Sequence, residues 1–148
     1  MKIYLCGPID GVTPEWATEW RNRVKAELTQ YKVLDPCEGK DLYHPECNTS
    51  LYTPEEIVEE DLKSIWGADV LLVDWRSYAN LEFDSTGLVD YREEPLRVGT
   101  IMEIAYAHQW GKRVITFGNL RRGYWIQYHA DKHFETLDEA IEYLEGIA

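Results

Sequence analysis

Arg97-Val98-Gly99-Thr100-Ile101-Met102-Glu103-Ile104-Ala105-Tyr106-Ala107, followed at once by Gly111-Lys112-Arg113-Val114-Ile115, reads as a loop turning at Gly99 into a helix, then a Gly-Lys corner and an apolar strand. A helix that runs through a short corner into a buried strand is half of a parallel β-α-β unit. In an open sheet of such units, small molecules bind at the rim formed by strand ends and helix starts. The spacing places Glu103 in the first helical turn, at that rim. Thr100-x-x-Glu103 is also a capping-box pattern, repeated at Thr53/Glu56 and Thr136/Glu139. Spacing alone therefore leaves Glu103 either a helix cap or a functional carboxylate.

Working outward, residues 2–6 are continuously apolar, as in a central strand buried on both faces. Thr13-Pro14 reads as a helix N-cap with Pro at the first helical position, and Trp16, Trp20, Val24 and Leu28 form an apolar stripe behind it. Tyr31 to Leu34 is a short second strand. Residues 36–52 are a polar loop, and Thr53-Pro54 starts a second helix that ends near Gly67. Asp69 to Asp74 is the clearest buried strand, followed by a long connection over 75–98 that carries Trp75, Tyr78, Phe83 and Tyr91. Connections of that length are lids, binding loops or subunit contacts. Helix 100–110 and strand 112–117 follow, then a short aromatic segment from Tyr124 to Tyr128 and a terminal helix capped by Thr136. Strands alternating with helices imply a doubly wound, five-stranded parallel sheet in the order 2-1-3-4-5, with helices on both faces and one domain over 1–148.

The 148 residues are 45% hydrophobic and 13% aromatic, a globular composition. A formal charge of −12 argues against a nucleic acid polymer as partner, because no basic stripe offsets phosphate repulsion. One or two local arginines still suffice to hold a single phosphate. Residues 1–6 lack the length and cleavage site of a signal peptide. No apolar run approaches the ~20 residues that span a bilayer, so no membrane partner is expected. Cys6, Cys37 and Cys47 lack zinc spacing and suit a reducing cytoplasm, the expected location. His44 with Cys47, and His129 with His133, are the pairs with any metal-binding character; neither completes a four-ligand set, and no metal is expected.

Asp61 falls within the stripe Pro54, Ile57, Val58, Asp61, Leu62 and Ile65, which points it toward the sheet. Burial without a partner is expensive, so the carboxylate meets a donor, a ligand or a proton; backbone N–H groups of a neighbouring loop would also serve. Tyr4 lies in the first strand, three residues before the Gly7-Pro8 turn. It is either a core tyrosine with a satisfied hydroxyl or a phenol that orients Glu103. Gly7 and Gly11 shape a tight turn that admits a ligand close to backbone, but no GxGxxG or Walker A sequence accompanies it.

Tyr4-Leu5-Cys6-Gly7-Pro8-Ile9, the helix carrying Asp61-Leu62 before Ala68-Asp69, and Gly99-Thr100-x-x-Glu103-Ile104-x-x-Ala107 occur in this order. Together they resemble the nucleoside 2-deoxyribosyltransferase family, which includes nucleoside 5′-monophosphate N-glycosidases, over roughly residues 2–117. The resemblance implies a flavodoxin-like, Rossmann-like domain with Glu103 as nucleophile, Asp61 as the active-site aspartate and Tyr4 as the group that positions the nucleophile. It implies retaining double displacement at the anomeric carbon through a covalent deoxyribosyl-enzyme, with no cofactor. The implied partners are a deoxynucleoside or deoxynucleotide and a free nucleobase, as in nucleotide salvage. Gly7, Pro8, Ile9 and Gly99 fall in the matching substrate-binding turns.

Three positions depart from the family pattern. Six residues before Glu103, where transferases on nucleosides place an acid and phosphate-reading members a small hydroxyl residue, this chain has Arg97. Arg97 either faces the sugar 5′ end and favours a 5′-phosphate, or pairs with Asp90, Glu93 or Glu94. Pro8 and Asp10 stand where phosphate-reading members carry Ser and Arg. Asn119 is the candidate for the asparagine that transferases take from a neighbouring subunit, which implies a homo-oligomer with Tyr124, Trp125 and Tyr128 as interface surface. Transfer of deoxyribose between bases is the leading expectation. A hydrolase on the same scaffold and a non-catalytic nucleotide-binding domain are the alternatives.

Overall fold

The computed structural model describes residues 1–9, 12–39, 52–77, 97–120 and 123–148. The expectations placed on Asp10, Gly11, His44, Cys47, Tyr78, Phe83, Asp90, Tyr91, Glu93 and Glu94 lie outside the described residues. Five strands, β1 (Lys2–Cys6), β2 (Lys32–Leu34), β3 (Val70–Trp75), β4 (Arg113–Gly118) and β5 (Lys132–Phe134), alternate with helices α1 (Pro14–Glu27), α2 (Pro54–Gly67), α3 (Val98–Gln109), α4 (Tyr124–His129) and α5 (Leu137–Ile147). Every strand pair is parallel and the order is β2-β1-β3-β4-β5, as the alternation of elements implies.

The two-residue period of the strands sorts their side chains into two cores. Ile3, Leu5, Val70, Leu72, Ile115 and Phe117 meet Trp20, Val24 and Leu28 of α1 and Ala140, Ile141 and Leu144 of α5. Tyr4, Cys6, Leu71, Val73 and Val114 face the other way, onto Ile65 of α2, Ile104 and Ala107 of α3 and Ile126 of α4. Helices therefore cover both faces, which is why β1 and β3 read as unbroken apolar runs.

Helix ends follow local chemistry. Thr13, Thr53 and Thr136 each accept a backbone N–H at a helix start, and Thr136 with Glu139 closes a full capping box. At the end of α3, Gly111 adopts φ 67°, which lets Gly111 N–H reach His108 O at 3.0 Å and Lys112 N–H reach Ala107 O at 2.9 Å. That Schellman arrangement turns the chain directly into β4.

Two expectations change. The helix expected over 100–110 begins at Val98, with Arg97 as N-cap and no side-chain cap bond, so Gly99 lies inside its first turn and Thr100 caps nothing. Ile101 N–H already bonds Arg97 O at 2.8 Å, which moves Glu103 into the second turn. On α2, only Ile65 of the expected inward stripe is fully buried; Val58 is exposed, and Ile57, Asp61 and Leu62 are half-buried. The aromatic segment Tyr124 to Tyr128 forms the short helix α4, and the fifth strand comes after it.

Gly118 closes β4 at φ 120°, and a Cβ there would lie 2.5 Å from Arg76 N and from Trp75 C. Gly118→Ala therefore combines backbone strain with a clash against β3. Urea denaturation of the variant is expected to show a stability loss of at least about 2 kcal/mol; a loss below about 0.5 kcal/mol would contradict this account of the rim.

Candidate active site

Tyr4 and Cys6 are two residues apart on β1 and project to one face of the sheet. On α3 the residues turned inward are Thr100, Ile104 and Ala107, and Glu103, three residues after Thr100 and four before Ala107, shares their stripe. The packing of α3 over β1 then brings the two elements' side chains together. Tyr4 Oη donates to Glu103 Oε1 at 3.0 Å, joining residues 99 positions apart. The Cys6 thiol, on the same strand face, donates to the carbonyl of Thr100, with Sγ 3.7 Å from that oxygen. From α2, the negative charge of Asp61 acts on Tyr4, Cys6 and Glu103 together. The three residues singled out for chemistry thus fall in one cluster.

Sequence reasoning passed over two members of that cluster. Cys6 carried a signal, since it shares the strand face of Tyr4. Arg21 carried another, because it stands four residues after Ala17 and three before Val24 on the inward face of α1. Arg21 is fully buried; it donates to Ala17 O at 2.6 Å and to Gly7 O at 3.1 Å. Its Nε lies 3.6 Å from Asp35 Oδ1, and Lys25 Nζ meets the other oxygen of Asp35 at 2.5 Å. Arg21 thereby ties the turn after β1 to the end of β2 and brings a buried positive charge near Glu103.

Burial is the main cause that pushes the Glu103 carboxyl up, and the Asp61 charge adds to it; the Cys6 and Tyr4 hydrogen bonds and the Arg21 charge oppose them, leaving a pKa of about 7. Tyr4 and Cys6 are both held well above their usual ranges, first by burial and then by the Glu103 charge. Near neutral pH both remain protonated, and Tyr4 donates to a carboxylate that is itself close to half ionised. Such a group suits a nucleophile or a proton carrier at a carbon atom.

The remaining candidates line the carboxyl ends of the strands. Gly7, Pro8 and Ile9 follow β1; Pro8 is buried and the other two are half-buried. Arg97 donates to the carbonyls of Asp74, at 2.9 Å, and Arg76, and its guanidinium lies 4.6 Å over the Trp75 ring. The end of β3 thus holds Arg97 at the start of α3. Gly99 is exposed one turn before Glu103. Asn119, just past β4, bonds Trp75 O through its backbone N–H at 3.3 Å. His129 Nδ1 contacts Trp125 O and His133 Nδ1 contacts Thr116 Oγ1, so the two imidazoles are used separately. Among the described residues no group of three or more His, Cys, Asp and Glu side chains is placed to hold a metal ion, and no helix is long and apolar enough to cross a membrane.

The fold and cluster define an open parallel α/β protein with titratable groups gathered between its central strand and the helix that packs on it. Three solved structures share that fold over nearly their whole lengths. A conserved protein from Enterococcus faecalis superposes with a TM-score of 0.65 at 13% identity, covering 100% of this chain and 99% of its own. A 2-deoxyribosyltransferase from the psychrotolerant bacterium Bacillus psychrosaccharolyticus gives 0.61 at 19% identity, with 95% and 90% covered. The CMP N-glycosidase BcmB of Clostridium botulinum gives 0.50 at 15% identity, with 98% of each chain covered. No family model matches the chain, and no curated protein matches its sequence. At these identities the likeness establishes a common fold.

Because the carboxyl of Glu103 is raised from 4.5 to about 7, the folded state keeps its proton longer than the unfolded chain does. Ionisation of Glu103 therefore costs stability as pH climbs from 4.5 to about 7, and Glu103→Gln escapes that loss. In thermal denaturation the variant is expected to gain on the wild type between about pH 5 and about pH 8, with a constant gap above. A gap independent of pH would show that the surroundings of the half-buried Glu103 do not oppose its ionisation.

Proposed function

We propose that this chain is an enzyme of the nucleoside 2-deoxyribosyltransferase family, moving 2-deoxyribose between nucleobases through a covalent deoxyribosyl-Glu103 intermediate. The observation that carries this reading is the Tyr4–Glu103 hydrogen bond, made beside Asp61 by residues whose motifs resemble that family's. The fold shared with a 2-deoxyribosyltransferase and a CMP N-glycosidase supports it.

In the first step the ionised Glu103 attacks C1′ of the sugar. The C1′–O bond forms as the C1′–N bond breaks, and the departing base keeps the electron pair and takes a proton that the Asp61 carboxylate relays from solvent. In the second step a nitrogen of an incoming base attacks C1′ from the vacated side and loses its proton through Asp61 to solvent, while Glu103 leaves as carboxylate. Two inversions give net retention. Tyr4, kept protonated by its surroundings, holds Oε1 and orients the carboxylate for attack. The substrate's sugar and base lie along Gly7, Pro8, Ile9, Gly99, Arg97 and Asn119, the residues gathered at the strand ends. A cytoplasmic homo-oligomer is the working form; Tyr124, Trp125 and Tyr128, exposed at 72%, 82% and 75%, are the surface that supports it.

A second reading, a 2′-deoxynucleoside 5′-monophosphate N-glycosidase with water as acceptor, draws on Arg97. That guanidinium carries positive charge to the start of the helix bearing Glu103, where an anion is also favoured by the helix dipole.

Deoxyinosine, and separately its monophosphate, incubated with adenine and the protein separates the readings by chromatography. Deoxyadenosine or its monophosphate marks transfer, hypoxanthine alone marks hydrolysis, and no turnover of either substrate removes both. Glu103→Ala is expected to lower the rate by at least ~100-fold, whereas Tyr4→Phe retains part of it. Since attack needs the ionised carboxylate, kcat/KM is expected to rise with pH through about 7 and level off above. A profile flat from about pH 5 to about pH 8 would rule out Glu103 as the nucleophile.

A further inference from the structure

The sheet changes winding direction between β1 and β3: the chain leaves β1 toward α1 on one face and leaves β3 toward α3 on the other. Open sheets take ligands in the crevice outside such a pair of strand ends. Asp74, near the end of β3, lies against the turn after β1, since a Cβ on Gly7 would fall 2.9 Å from Asp74 Cβ. The Asp74 carbonyl accepts from Arg97 Nη1 at 2.9 Å, at the start of the helix that carries Glu103. Its fully buried carboxylate holds a second arginine, Arg76. Arg76 Nε donates to Oδ1 and Nη2 to Oδ2, each at 2.9 Å.

That fork fixes the plane of the Arg76 guanidinium, and stacking at 4.2 Å over the Trp16 ring fixes its face. The side chain is nonetheless 35% exposed. With Nε and Nη2 engaged, Nη1 stands at the opposite corner of the planar group and makes no hydrogen bond among the described residues. Arg97 is engaged differently, with both terminal nitrogens on backbone carbonyls. Of the two arginines at the end of β3, Arg76 is the one that keeps a terminal nitrogen for a ligand, in an orientation set before the ligand arrives. We propose that Arg76 is a specificity-determining residue whose Nη1 holds the 5′-phosphate of a deoxynucleotide seated in the β1–β3 crevice, with its sugar at Glu103. This rests on Glu103 marking the sugar site, and it assigns the contact with phosphate to Arg76 while Arg97 braces the start of α3.

If Arg76 served only as counter-ion to Asp74, its loss would not discriminate between ligands with and without phosphate. The experiment therefore measures, by calorimetric titration, the Kd of deoxyinosine and of its monophosphate in a parent carrying Glu103→Gln, where binding is read without turnover. Arg76→Gln alone would leave the buried Asp74 charge unpaired, so it is combined with Asp74→Asn; Arg76→Lys, which keeps the charge but not the fork, is the second variant. The parent is expected to bind the monophosphate at least about tenfold more tightly than the nucleoside. In both variants that ratio is expected to fall below about threefold, with the nucleoside's own Kd changed by less than about threefold. A parent without the preference, or a preference retained in the variants, overturns the proposal. Turnover by the wild type without a phosphate preference would leave the enzymatic reading standing and remove this one. A preference that requires Arg76, in a protein that turns over neither compound, would do the reverse.

Discussion

The hydrogen bond from Tyr4 to Glu103 joins the central part of the sheet to the helix that crosses it, and the site is organised around it. Its geometry needs three conditions at once. β1 must lie beside β3, α3 must pack on the face that Tyr4 shares with Cys6, and α3 must start early enough to turn Glu103 inward. A one-residue slip of β1 would send Tyr4 and Cys6 to the opposite core, among the side chains of α1 and α5. The apolar residues that set the register therefore also set the chemistry.

Placing a carboxylate among these groups is unfavourable for folding and useful for reaction. Burial and Asp61 act against ionisation of Glu103, while hydrogen bonding and the Arg21 charge act for it. The balance falls near neutrality, where a carboxylate can be charged without being so strongly solvated that it loses its reactivity. Arg21 belongs to the same balance from the other side of the sheet. Its buried guanidinium is held by two carbonyls and by Asp35, and it braces the Gly7 turn against α1. The rim is thus supported from beneath by one arginine and from the end of β3 by another, Arg97.

Much of this was legible in residue order. The apolar runs of β1, β3 and β4, the Thr-Pro helix starts and the alternation of elements lead directly to the observed sheet. The cluster was partly legible. Tyr4, Asp61 and Glu103 stand out through motif resemblance, whereas Thr100-x-x-Glu103 looks locally like a cap. That local pattern misleads because a helix start depends on the backbone entering it. Here Arg97 occupies the N-cap and Gly99 is helical, so Thr100 lies one turn too late to cap. Cys6 and Arg21 were visible in principle, each by its place on an inward face, but a small thiol on an apolar strand and one charge in a helix attract no notice until their neighbours are known.

What the order of residues determines by itself is the set of elements, their amphipathic faces and hence the doubly wound sheet, because these follow from periodicity and from chemistry within a few neighbours. Only the folded chain decides which side chains meet. The depth of α2 against the sheet, the early start of α3 and the contact of β1 with Glu103 come from packing between segments distant in sequence. The reactivity of Glu103 belongs to that second group, since it is set by burial and by charges that no local stretch contains.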